Sequence, residues 1–228
     1  MTYTLITANR NYSSWSLRPW LLMTELGIAF NDRLEPFATL DNRSAFEAFS
    51  PTGQVPCLID GDITIWDSLG ITLYLAERHR DVWPEDVAAR AWAQCATAEM
   101  HSGFPSLRSR CPMNIGVRVR LPTIDAPLRR DVERIAALWR EGIERFGGPF
   151  LAGARFGAVD AFYAPVVFRA RSYGLEVGEA GRAWADTLCR LAGMQVWEAA
   201  ALAETWREAG HEAELVASGT VMEDRRRA

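Results

Sequence analysis

Three short clusters in this 228-residue chain carry residue types that can hold an anionic, peptide-like ligand. The first is Ser13-Ser14-Trp15-Ser16, where a β-rich run from Thr4 to Ala8 and a polar stretch give way to apolar residues at helical spacing. Hydroxyls at such a junction stand beside free backbone N–H groups and the positive end of the helix dipole, which together can hold a thiolate. Serines before a helix also serve simply as caps, and the spacing puts the cap near Ser16. The second cluster is Gln54-Val55-Pro56, with a proline at the entrance to an apolar strand. A cis bond before Pro56 would turn the Val55 N–H and C=O outward to pair with an extended peptide; an ordinary trans turn is the alternative. The third is Asp67-Ser68 at a helix start. The Ser68 N–H and hydroxyl can take a carboxylate while the Asp67 carboxylate pairs with an ammonium, although Asp-Ser is equally a plain cap.

The elements that must position these clusters follow from periodicity. A strand over Thr4 to Ala8, a helix from Ser16 to Gly27 with Pro19 in its first turn, and a strand over Ile28 to Glu35 come first. A short helical piece at Ala45 to Phe49 precedes a hairpin, Val55 to Ile59 and Ile63 to Trp66, around Asp60-Gly61-Asp62. A helix from Asp67 or Ser68 to Arg78 completes a βαβαββα order, which predicts an α/β domain with a mixed sheet covered by helices. Beyond Pro84 the pattern changes. Asp86 to Arg110 reads as one long helix, and Leu128, Val132, Ile135, Trp139, Ile143 and Phe146 recur at helical steps. Further helices are expected at 159–173, 182–191 and 195–208. The domains expected are thus 1–80, α/β, and 86–215, all helical, with 216–228 as a flexible tail.

Composition narrows the function. With 49% apolar and 11% aromatic residues, nine of them Trp, the chain can bury substantial cores. A net charge of -4 gives no global attraction for nucleic acid or anionic lipid. Cys57, Cys95, Cys111 and Cys189 form no C-x-x-C pair, so neither a metal site nor a dithiol motif is expected, and they fit a reducing compartment. The N-terminus lacks a basic and then apolar leader, and no apolar run is long enough to span a membrane, so the expected location is cytoplasmic.

The run Ser13-Ser14-Trp15-Ser16-Leu17-Arg18, then Gln54-Val55-Pro56-Cys57-Leu58, then Asp60 to Leu75 with Asp67-Ser68 inside it, resembles the N-terminal domain of cytosolic glutathione transferases. The spacing from the serine pair to Gly27 is similar to the zeta class, and Phe156-Gly157-Ala158-Val159-Asp160 resembles the family's helix-capping motif, with Gly157 where Ser or Thr is usual. The resemblance implies a thioredoxin-like domain followed by a helical bundle and a glutathione co-substrate with no metal. It assigns the sulfur to Ser13 or Ser14, with Trp15 beside them, the cysteinyl backbone to Val55 before a cis-Pro56, with Gln54, and the γ-glutamyl end to Asp67 and Ser68. A small hydrophobic or anionic electrophile would lie between the domains near His101, Phe104 and Arg108. A homodimer is expected, with no nucleic-acid or membrane partner. Trp15 stands where the zeta class has Cys, and Ser172 where it has a substrate-binding Arg, which weakens an isomerase reading. Transferase, isomerase of an unsaturated acid and non-catalytic interaction module remain the three functions to separate.

Overall fold

The computed structural model describes residues 2–37 and 42–227. Four strands build the N-terminal sheet: β1 (Tyr3–Thr7), β2 (Phe30–Leu34), β3 (Cys57–Asp60) and β4 (Ile63–Trp66), in the order β2-β1-β3-β4. β1 and β2 run parallel across the crossover helix α1 (Ser14–Glu25), whereas β3 is antiparallel to both β1 and β4. The short helix α2 (Arg43–Phe46) precedes β3, and α3 (Ser68–Ala76) follows the hairpin. This is the mixed sheet that the order of patterns predicts.

Two starting points differ from expectation. The helix α1 begins earlier, with Ser13 rather than Ser16 as its cap, because the Ser13 N–H bonds the Asn9 carbonyl and its Oγ accepts the Ser16 N–H at 3.4 Å. The expected long helix breaks into α4 (Val87–Ser102) and α5 (Pro105–Arg110). Pro105 disfavours a right-handed helical residue before it, and Phe104 stands outside that region at φ 60°, while a Cβ on Gly103 would sit 2.6 Å from the Glu99 carbonyl oxygen.

The second domain continues with α6 (Ala126–Phe146), α7 (Ala158–Tyr173), α8 (Gly178–Cys189), α9 (Ala192–Ala203) and α10 (Ala209–Ser218). Helix α7 is its axis: fourteen of its sixteen residues are buried, and it packs on α1 as well as α4, so a single apolar core runs through both domains. Asp160 starts it. Its Oδ2 accepts the Gly157 N–H at 3.0 Å, and its Oδ1 accepts the Leu151 N–H and Trp184 Nε1, both at 2.9 Å. With glycine at the cap only the acidic half of a capping box can form.

The helical domain also contains strands. β5 (Val117–Arg120) pairs antiparallel with β6 (Thr220–Asp224), so the segment expected to be a flexible tail is a strand instead. Its partner lies about a hundred residues away in sequence, as Arg120 faces Thr220, and no local pattern announces such a pairing. No helix among the described residues is long and apolar enough to cross a membrane.

Candidate functional site

A cleft of about 770 Å³ opens along the N-terminal domain where α1, α3 and the loop before β3 converge. Ser13, Trp15, Gln54, Val55, Pro56, Asp67 and Ser68 all line it. Ser14, His101, Phe104 and Arg108 do not.

The Val55–Pro56 bond is cis, which leaves Val55 half-buried and Gln54 exposed at the cleft edge. Asp67 occupies φ 67°, ψ 140°, a region sparsely used by residues other than glycine, and its Oδ1 accepts the Leu69 N–H at 2.7 Å to cap α3. That geometry leaves its second carboxylate oxygen for an external cation while Ser68 sits buried on the first turn. Behind Ser68, the fully buried Arg18 guanidinium donates to its Oγ at 3.4 Å. A guanidinium only donates, so the Ser68 hydroxyl accepts there and keeps its own proton for an acceptor in the cleft.

The serine loop is tied differently. Ser13 donates to Ser16 Oγ at 2.7 Å, and Ser14 Oγ accepts from Arg169 Nη2 of α7 at 3.4 Å. Upstream, the Glu204 carboxylate accepts the Arg10 and Asn11 N–H groups at 2.6 and 3.2 Å, and Trp197 Nε1 donates to the Arg10 carbonyl at 2.9 Å. Asn11 in turn receives the Ile115 and Gly116 N–H groups on its carbonyl and Oδ1, and the Tyr12 hydroxyl donates to Glu212 at 2.6 Å. Every residue from Arg10 to Tyr12, and Ser14 after them, is thus held by the second domain.

Trp15 lies half-buried between cations. The Arg18 and Arg108 guanidinium carbons stand 4.1 and 4.8 Å from its ring, and His101 meets its edge. Burial, then the neighbouring Arg108 and Arg169, hold Arg18 well below its ordinary pKa, and burial pushes Arg169 down to about 10. Arg108 donates to the Met100 and Gly103 carbonyls and Phe104 is buried against Tyr163, so both support Trp15 and α4 rather than face the cleft. His101 reaches across the domains, with Nε2 3.7 Å from Asp67. Burial lowers its pKa, and Arg18 and Arg108 add to this against Asp67, which favours the neutral ring. Ser172, at the position of the family's arginine, is buried and donates to the Asn114 carbonyl. Burial pushes the Cys111 thiol up to about 12, which removes it as a nucleophile.

Among the described residues, nine further wall residues were not singled out by the sequence, and three of them form one aromatic stack. Tyr12, Phe37 and His211 line the cleft, and His211 arrives from α10, nearly 200 positions beyond Tyr12. No group of His, Cys, Asp and Glu that could hold a metal ion occurs among the described residues.

Comparison with known proteins bears on the family and the fold. A stretch of 59 residues is 42% identical to a dichloromethane dehalogenase of Methylophilus leisingeri, covering 25% of this chain and 22% of that one. Glutathione S-transferase 1 of Dianthus caryophyllus is 26% identical over 142 residues, 59% of this chain and 62% of its own length. A zeta-class enzyme of Euphorbia esula is 28% identical over 129 residues, so likeness to the zeta class does not stand out from likeness to other classes. Among solved structures, a glutathione transferase homologue from Burkholderia with bound glutathione superposes with TM-score 0.63 at 20% identity, covering 86% of this chain and 95% of that one, which shows a shared fold. Residues 12–78 match the family described as glutathione S-transferase, N-terminal domain, and residues 86–210 match its C-terminal domain. With both of its domains matched, the chain belongs to the glutathione S-transferase family.

Proposed function

We propose that the protein is a glutathione transferase that conjugates the glutathione thiolate to a small electrophile. The observation that carries this reading is the convergence on one cleft of Val55 before a cis proline, Asp67 with Ser68, and the start of α1. In this reading Val55, beside Gln54, pairs with the cysteinyl backbone, Ser68 takes the γ-glutamyl carboxylate, and Asp67 takes its ammonium. Ser13, which lines the cleft, holds the sulfur once its hydroxyl turns from Ser16 Oγ to the ligand; Ser14 is its rival, and its bond from Arg169 leaves its own proton free to donate. A hydrogen bond to a charged group is worth about 1.5 to 3 kcal/mol, enough to lower a thiol pKa by about one to two units. Holding both reactants in place supplies much of the remainder.

The walls Trp15, Phe37, Phe46 and Trp66 favour an apolar or aromatic electrophile, and Arg108, whose guanidinium is bonded to backbone carbonyls, does not face it. The protein acts in the cytoplasm as a two-fold homodimer in this reading, supported by the family likeness and the commonness of such symmetry. A turnover screen with glutathione against electrophiles, unsaturated acids and peroxides tests the function. Conjugation of electrophiles is expected. Isomerisation of an unsaturated acid without net consumption of glutathione would replace the transferase with an isomerase, and binding without any turnover would leave an interaction module.

A further inference from the structure

A thiol that becomes a thiolate gives its proton to an acceptor, and a serine hydroxyl is not a base at neutral pH. Among the described side chains that line the cleft, His211 carries the one imidazole, whose ring nitrogen can accept a proton. Its imidazole is stacked between two rings, Tyr12 at 4.8 Å and 17° and Phe37 at 5.0 Å and 24°. Glu208, the cap of α10, accepts the Gly210 and His211 N–H groups at 2.9 and 2.8 Å, and its Oε2 lies 2.7 Å from His211 Nδ1. A carboxylate accepts, so Nδ1 carries the proton and Nε2 of the neutral ring carries the lone pair. No hydrogen bond to Nε2 is made among the described residues.

The surroundings suit a change of charge at this ring. Burial alone would raise the Glu208 carboxyl, but the Gly210 and His211 bonds bring it below the usual range, so it stays ionised. Tyr12 cannot compete as a base: burial and its bond to Glu212 hold its phenol far above the ordinary value. Glu212 is itself paired with Arg226 at 2.5 Å, while Arg43 and Asp67 face the same cleft.

We propose that His211 and Glu208 form a proton-accepting dyad for this cleft. Nε2 takes the thiol proton, and the electron pair of the S–H bond stays on sulfur as the attacking thiolate. The imidazolium is stabilised by the Glu208 carboxylate and by the faces of Tyr12 and Phe37, and later returns its proton to the leaving group or to water. This rests on the reading that glutathione occupies the cleft.

Glutathione is titrated calorimetrically into the full chain near neutral pH in buffers of different ionisation enthalpy, with thiolate absorbance read in the same complex. The wild type forms thiolate while releasing well under one proton per thiolate, because the proton moves to His211. His211→Phe, which keeps a ring in the stack, needs a pH about one unit higher for the same thiolate, a tenfold change in its fraction at fixed pH. Proton release rises toward one per thiolate in that variant. Glu208→Gln shifts both readings the same way, and carries the test if His211→Phe does not fold. Release of a full proton per thiolate by the wild type, or superimposable thiolate curves in the wild type and His211→Phe, overturns the dyad. A flat titration of the wild type contradicts glutathione binding itself and is told apart by the absence of any heat.

Discussion

The two sides of the cleft are built by different means. On one side, Val55, Asp67 and Ser68 are set by residues close in sequence: a proline one position on, an N–H two positions on, a helix start. On the other, Arg10, Asn11, Tyr12 and Ser14 are held by Glu204, Trp197, Glu212, Ile115, Gly116 and Arg169, all more than a hundred positions away, while Ser13 between them is tied locally to the Asn9 carbonyl and Ser16. The first side is built within the N-terminal domain, whereas the second draws the bonds of Arg10, Asn11, Tyr12 and Ser14 from the helical domain. If glutathione binds as proposed, affinity for its peptide part and control of its sulfur are separable, and substitutions are expected to affect one without the other.

The largest expected effect tests the long-range side. Trp197 is fully buried, lies under the Arg10 guanidinium, meets Trp20 edge to face, and donates to the Arg10 carbonyl. Trp197→Ala should cost about 3–5 kcal/mol in denaturant unfolding and loosen the serine loop with it. A cost below about 1 kcal/mol would mean that the loop does not depend on this buttress.

Next comes Asp160, a local cap inside the distant domain. Full burial pushes its carboxyl up to about 6 despite the bonds from Leu151, Trp184 and Gly157. An unfolded Asp titrates near ~3.9, so between these values the native state holds more protons than the unfolded state. Its contribution to stability is accordingly greatest in acid and declines as pH rises from about 4 to about 6. Asp160→Asn should remove this decline and cost about 1–3 kcal/mol, because the amide N–H then faces the Gly157 N–H. Unfolding followed across that pH range checks both, and an unchanged slope in the variant would show that the carboxyl does not titrate there.

The smallest effect sharpens the boundary between the two sides. Ser13→Ala removes the α1 cap and should cost about 1 kcal/mol, while raising the pKa of bound glutathione by about one to two units. Ser14→Ala should change that pKa less. A larger shift in the Ser14 variant, read by thiolate absorbance, would exchange their roles.

What the sequence disclosed follows the same division. The βαβαββα order and the start of α3 were legible because each is written in a few neighbouring residues, whereas the cis bond before Pro56 and the Asp160 cap were expected only through the family resemblance. The serine loop was misread by three positions at its cap, since the turn closed by the Asn9 carbonyl resembles any polar loop. His101, Phe104 and Arg108 were expected to face the second substrate, but Arg108 turns to carbonyls that the break at Gly103 exposes. His211 and β6 could not be found at all, as their partners Tyr12, Phe37 and β5 lie far away in sequence.

Binding of glutathione through Asp67 is the claim on which the account stands, and calorimetric titration of the intact chain and of Asp67→Ala tests it most directly. The wild type should bind glutathione. Loss of one charge-assisted bond, about 1.5–3 kcal/mol, should weaken the variant by roughly ten- to a hundredfold with the fold intact, since helix α3 retains Ser68 and its packing. No binding by the wild type, or equal affinity in the two proteins, would contradict it.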